Sequence, residues 1–222
     1  MLQQNGRWDN CIKDLKPLFI KETQAEYNYE EENVFNGGNE FRNFDLRSLL
    51  YTTPYIDKIQ QDAVTNIYRV ILKTERSRSF ERYSILDDIN GRFLIKIYDG
   101  RNDNTESDYS TVDFSLHYPE PLANGNFYVF GALTNWSLHQ AAKMKYDYDD
   151  GQYKCSLFLK QGYYNYHYVW VEDGKVIADE TRIEGNHFET ENEYGIYIYH
   201  HEPASRYDRL IGFKKLDSRN IY

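Results

Sequence analysis

Glycine-marked turns at short, regular intervals constrain this chain more than any other feature. Apolar or alternating segments recur at 12–20, 40–46, 67–72, 92–98, 110–116, 126–130, 143–146, 152–159, 163–172 and 194–199. Between them fall Asn36-Gly37-Gly38-Asn39, Asn90-Gly91, Asp99-Gly100, Asn124-Gly125, Asp150-Gly151, Gln161-Gly162, Asp173-Gly174 and Glu184-Gly185. Glycine supplies the positive φ that tight turns need, and Asn or Asp beside it bonds back to its own backbone. Short strands spaced this way specify an all-β chain built as a sandwich or barrel. No long stretch has the helical period; only residues 55–64 admit a helical turn.

The chain has 222 residues, 22 of them Tyr. Tyr favours strands and has an apolar body with a polar tip, which suits both sheet faces and contact surfaces. The length allows two domains of about 100 residues. Residues 99–108 are polar throughout and read as a linker. The sequence thus predicts two tandem β-sandwich domains, 1–103 and 104–222.

The net charge of −9 opposes binding to a phosphate backbone, which excludes nucleic acid as an expected partner. The basic run 73–78 is too short to change this and reads as a solvated loop. No apolar run reaches the ~20 residues a bilayer requires, so the chain is not expected to span a membrane by helices. The first residues carry neither a basic nor an apolar block, so they are no signal peptide and, taken alone, read as cytoplasmic. Cys11 and Cys155 are too far apart in sequence for a metal motif. Cys155 lies in an alternating pattern and reads as a buried thiol; a disulfide between the two would have to link the proposed domains.

The second half is the more sharply patterned. Residues 143–146 face 152–159 across Asp147-Tyr148-Asp149-Asp150-Gly151, a hairpin. Leu157 and Leu159 point one way, Phe158 and Lys160 the other. Gly162 then turns the chain into a run from Tyr163 to Val171 with large residues at both phases, so both faces are expected to be covered. The run 127–136, ending Thr134-Asn135-Trp136, the hairpin at Asp150-Gly151, the run Leu157 to Val169 and Asp173-Gly174 follow in order. Over residues 110–200 this resembles the early-set immunoglobulin-like modules that bind starch and glycogen.

A second resemblance covers nearly the whole chain. It rests on Gly6-Arg7-Trp8-Asp9-Asn10, Leu15-Lys16-Pro17-Leu18, residues 33–42, Ile89-Asn90-Gly91-Arg92-Phe93, residues 130–136, residues 161–166, residues 184–192 and Ser205-Arg206-Tyr207-Asp208-Arg209-Leu210-Ile211-Gly212. Together these resemble the plug protein family of the Bacteroidetes type IX secretion system. The resemblance implies a periplasmic protein, associated with the outer membrane, that closes the inner mouth of the large outer-membrane barrel translocon until cargo is engaged. Family members are longer at the N-terminus and begin with an export signal. The expectation is therefore a C-terminal fragment in which Met1 is an added start and the first domain lacks strands and exposes an edge.

No catalytic constellation stands out. A Gly-x-Ser-x-Gly elbow, a phosphate loop, His-Glu-x-x-His and Cys-x-x-Cys are all missing, so neither an enzyme nor a cofactor is expected. Residues 147–151 lack the spacing and the distal Glu of a calcium loop. His187, Glu189 and Glu191 share one face of an extended run but are too few for a fixed metal geometry. His200 and His201 point to opposite faces. Trp136 is the candidate glycan platform under the alternative, a starch- or glycogen-binding module. Those modules carry a second Trp just after the Asp-Gly turn, where this chain has Lys175-Val176; Trp170 lies earlier, on a sheet face. Arg206, Tyr207 and Arg209 are the candidate partner-binding residues, because Arg and Tyr anchor interfaces and two Arg flanking Tyr-Asp can fork onto carboxylates. Equally, Arg209 can pair with Asp208 or a nearby Glu while Tyr207 closes the core; the residue types alone leave both readings open.

Overall fold

The computed structural model describes residues 1–220. Its strands run in order β1 (Leu2–Gln4), β2 (Phe19–Lys21), β3 (Gln24–Glu26), β4 (Arg42–Asp45), β5 (Ile56–Gln61), β6 (Tyr68–Leu72), β7 (Phe93–Ile95), β8 (Tyr109–His117), β9 (Gly125–Phe130), β10 (Lys145–Asp147), β11 (Gln152–Lys160), β12 (Gly162–Glu172), β13 (Glu193–His201) and β14 (Asp208–Asp217). The one α-helix among the described residues is a single turn, α1 (Thr181–Glu184), ended by Gly185 at φ 86. The all-β class is thus observed, and most expected segments are strands within a residue or two of their predicted bounds.

The chain divides into two units. One is Gly38–Asn186; the other joins Met1–Gly37 to His187–Tyr222. In the continuous unit, two sheets pack face to face as a sandwich. The first has the order β10-β11-β8-β6-β5; the second is β4-β12-β7, with β9 also on β12. β12 is the spine of the second sheet: residues 163–166 pair with β4, 162–164 with β7 and 167–172 with β9. It is buried on both faces, as its aromatic run predicts. From the first sheet, Val70, Val112, Phe114, Leu116 and Tyr153 point into the core; Phe44, Phe127, Val129, Tyr164, Tyr166 and Tyr168 meet them from the second. The rings interlock edge-on, Phe44 to Phe114 at 5.5 Å and Phe127 to Tyr153 at 4.7 Å, the geometry that ring quadrupoles favour.

The expected boundary between residues 103 and 104 is corrected by the strand pairing. β6 lies parallel to β8, Tyr68 opposite Ser110 and Val70 opposite Val112. β4 and β7, also before the boundary, belong to the sheet of β12. A parallel pair needs a crossover connection, and residues 73–108 supply it by visiting the opposite sheet at β7. The polar stretch 99–108 is therefore an ordered loop, not a linker. Ile97 N–H bonds Asp103 Oδ1 at 2.9 Å, Arg101 N–H bonds Glu106 Oε2 at 2.7 Å, and Lys160 Nζ bonds the Asn104 carbonyl at 2.8 Å. Residues 55–64 hold a strand, not a helical turn. β5 is an edge strand whose polar outer residues mask the alternation, and it ends where Asp62 Oδ1 accepts from the N–H groups of Val64 and Thr65.

The discontinuous unit contains the sheet β1-β13-β14 and the small hairpin β2-β3. Leu2 stands opposite Ile196, and Glu193 opposite Asp217. Of the expected strand 12–20, only its last two residues enter one, β2; Pro17 lacks the N–H a ladder requires. β14, ten residues long, has no counterpart among the expected strands.

Candidate interaction site

Arg206 and Tyr207 lie in the turn that joins β13 to β14, and Arg209 lies on β14 opposite His200. The turn is closed by Ser205, whose Oγ accepts from Tyr207 N–H and donates to its carbonyl. Tyr207 is 70% exposed and does not close a core. Asp208 pairs with His201 (Nδ1 to Oδ1, 2.9 Å), not with Arg209. Arg206, Tyr207 and Arg209 are all exposed at one hairpin end.

The hairpin behind this tip is apolar on the outside. Ile198, Tyr199, Leu210, Ile211 and Phe213 are all about half exposed. Tyr197 packs on Phe213 at 4.8 Å and on Trp8 at 5.9 Å, and its hydroxyl donates to Gln3 Oε1 at 2.8 Å. A register shift between Ile198 and Tyr199 leaves Ile211 as the extra residue of a bulge, which increases the local twist. Lys215 with Glu193 (2.7 Å) and Arg219 with Glu191 (2.7 Å) brace the far end.

Trp136 occupies a different environment. Asn135 and Trp136 both adopt left-handed backbone, at φ 51 and 54. The indole is half-buried, near perpendicular to Phe130 at 5.5 Å and to Phe41 at 5.9 Å. A Cβ on Gly91, itself at φ +73, would stand 2.3 Å from Trp136 Cη2. It is a packed turn residue pinned by a glycine, not an open platform. Trp170 is in the core, under the guanidinium of Arg182 at 4.8 Å.

The sequence reading missed a buried ionic cluster in the continuous unit. Glu184, on α1, is fully buried and accepts from Arg42 Nε (3.0 Å), from Arg78 Nη2 (2.6 Å) and from the Tyr168 N–H (2.8 Å). Arg42 Nη1 also reaches Glu75 at 3.2 Å, and Tyr166 donates to the same carboxylate at 2.7 Å. Burial pushes the Glu184 carboxyl up, but the Arg42 and Arg78 guanidinia outweigh it and hold the group down at about 2. The run 73–78, read as a solvated loop, therefore lends Glu75 and Arg78 to the interior. Burial likewise pushes the Cys155 thiol up to about 12, and both cysteines are free.

No family model and no curated protein matches the sequence. Among solved structures, the chain is similar to a crystal structure of a hypothetical protein from Parabacteroides merdae, with 37% identity and a TM-score of 0.90. The likeness covers 97% of this chain and 54% of the other, so the chain spans about half the length of that protein.

Proposed function

We propose that this chain is a non-enzymatic interaction protein of the periplasm that closes the inner mouth of the type IX secretion translocon in the outer membrane. The observation that carries the reading is the β13–β14 hairpin, which presents Arg206, Tyr207 and Arg209 at one end of an apolar ribbon. These residues belong to the stretch 205–212, one of the motifs by which the sequence resembles the plug family. The similar chain from Parabacteroides merdae, a Bacteroidetes species, agrees with that source. A plug has to cover a wide mouth and still release, which asks for a broad interface with a polar rim and a few strong anchors. No comparable observation favours the starch- or glycogen-binding reading, because Trp136 is committed to Phe41, Phe130 and Gly91.

The test has two parts. Deleting the protein from its native host should change the composition of the outer-membrane translocon complex and admit a large antibiotic; if both are unchanged, the reading fails. Arg206→Ala and Tyr207→Ala should each lower recovery of the complex, by about 2 kcal/mol for a desolvated anchor. The melting temperature should not move, because Tyr207 is exposed. A shifted melt with unchanged recovery would instead make the segment a fold element.

A further inference from the structure

A sheet leaves two edges, and among the described residues this protein closes or shortens its edges with one exception. The outer edge of β1 is covered by a bridge in which Leu2 and Ile12 exchange N–H···O=C bonds of 2.8 and 3.0 Å. In the five-stranded sheet, one edge is β10, three residues long, and the other is β5, whose outer positions are Asp57, Lys58, Gln60 and Gln61. Short or polar edges resist pairing with another chain. β14 differs. It is ten residues long, and Leu210, Ile211 and Phe213 are each about half exposed on it.

Its free hydrogen-bonding groups follow from the ladder. Tyr197 donates to the Met1 carbonyl and Asn5 to the Glu193 carbonyl, so the odd residues of β13 face β1. Tyr194, Ile196 and Ile198 therefore face β14, where they meet Leu216, Lys214 and Gly212. In an antiparallel pair the intervening residues point their N–H and C=O groups the other way. Those of Phe213, Lys215 and Asp217 thus line the open edge. Charge defines what fits beside them. Residues 206–217 carry Arg206, Arg209, Lys214 and Lys215 against Asp208 and Asp217, with Lys215 paired to Glu193, in a chain of net charge −9. A second copy laid on this edge would set these cations against each other, and like charges across strands destabilise a pair.

We propose that the open edge of β14 is a strand-addition site that takes an extended, acidic segment of a partner protein as the next strand of the sheet. The backbone of Phe213, Lys215 and Asp217 gives the main-chain bonds; Ile211 and Phe213 give apolar contact; the cations select carboxylates on the incoming strand. This deepens the plug reading and rests on it.

The experiment uses the full chain in its native host, with p-benzoylphenylalanine in place of Phe213 or Lys215, and in place of Tyr148 as a distant control. Photolysis should join the first two, and not the third, to one acidic segment of a translocon component. Lys215→Pro removes one outward N–H and leaves the β13 ladder intact, a position proline tolerates on an edge. It should lower recovery of the complex by on the order of tenfold, and the variant K214E, which leaves the Lys215–Glu193 pair and the backbone bonds in place, should also lower it. Cross-links to a second copy of the chain overturn the proposal. So does wild-type recovery with K214E, whatever the fold of the proline variant; in that case the plug reading survives. If deletion of the whole protein alters neither complex nor leak, it is the plug reading that has failed.

Discussion

At the scale of single residues, the interior depends on one carboxylate. Glu184 holds two guanidinia and a backbone N–H where water does not reach. Replacing it with Gln leaves buried Arg42 with Glu75 alone and half-buried Arg78 without its carboxylate, and breaking such a group costs about 3 kcal/mol; a denaturant titration reads the loss directly. The same carboxylate sets a pH dependence. Its folded value, about 2, lies below the ordinary 4.5, so its contribution is complete above the ordinary value and is lost as pH falls towards the folded one. Melts through the acid range should show a slope that E184Q removes. Gly91→Ala should also be costly, by about 1–3 kcal/mol, because it adds left-handed strain and a methyl inside contact distance of Trp136 and Phe41. Cys155, half-buried and with its thiol pushed up to about 12, should react with a thiol reagent more slowly in the folded protein than in the unfolded one; equal labelling rates would refute this.

At the scale of elements, residues 104–222 made alone should not fold cooperatively. β8 would lose β6, and β12 would lose both β4 and β7, exposing Phe114 and Tyr166. A sharp, two-state melt of that fragment would count against the sheet order β10-β11-β8-β6-β5. The strands themselves were legible, because β8, β11 and β12 alternate or run apolar between glycine turns. Their partners were not. Nothing in the period of Tyr68–Leu72 says that it lies parallel to Tyr109–His117, since alternation fixes which face is buried and not which strand lies alongside. β5 and β14 fail for another reason: on a strand with exposed faces the apolar–polar contrast fades, and Asp208–Asp217 has exposed residues at successive positions. The ionic cluster was invisible because Arg42 and Glu184 stand far apart in sequence, and each looks like a surface residue until the fold brings them together. For Arg206, Tyr207 and Arg209 residue type left exposed and core-bracing readings open, and their exposure, like the edge beside them, needed the fold.

At the scale of the whole molecule, the continuous unit begins and ends at one place: Gly38 N–H donates to Asn186 Oδ1 at 2.9 Å. Residues 38–186 contain both sheets of the sandwich and the ionic cluster, so expressed alone they should melt cooperatively, with the acid-side slope due to Glu184 retained; an uncooperative melt would show that the discontinuous unit is required. The remaining unit is set by a different clock. Met1 and Leu2 are made long before their strand partners, Ile196 and Tyr197. Until then β1 has only its bridge to Ile12, whereas every strand of the sandwich precedes β13 in the chain. The sheet that carries the open edge is thus completed only once β13 and β14 have been made, so a prematurely terminated chain ending before β13 would contain every strand of the sandwich and no edge to offer.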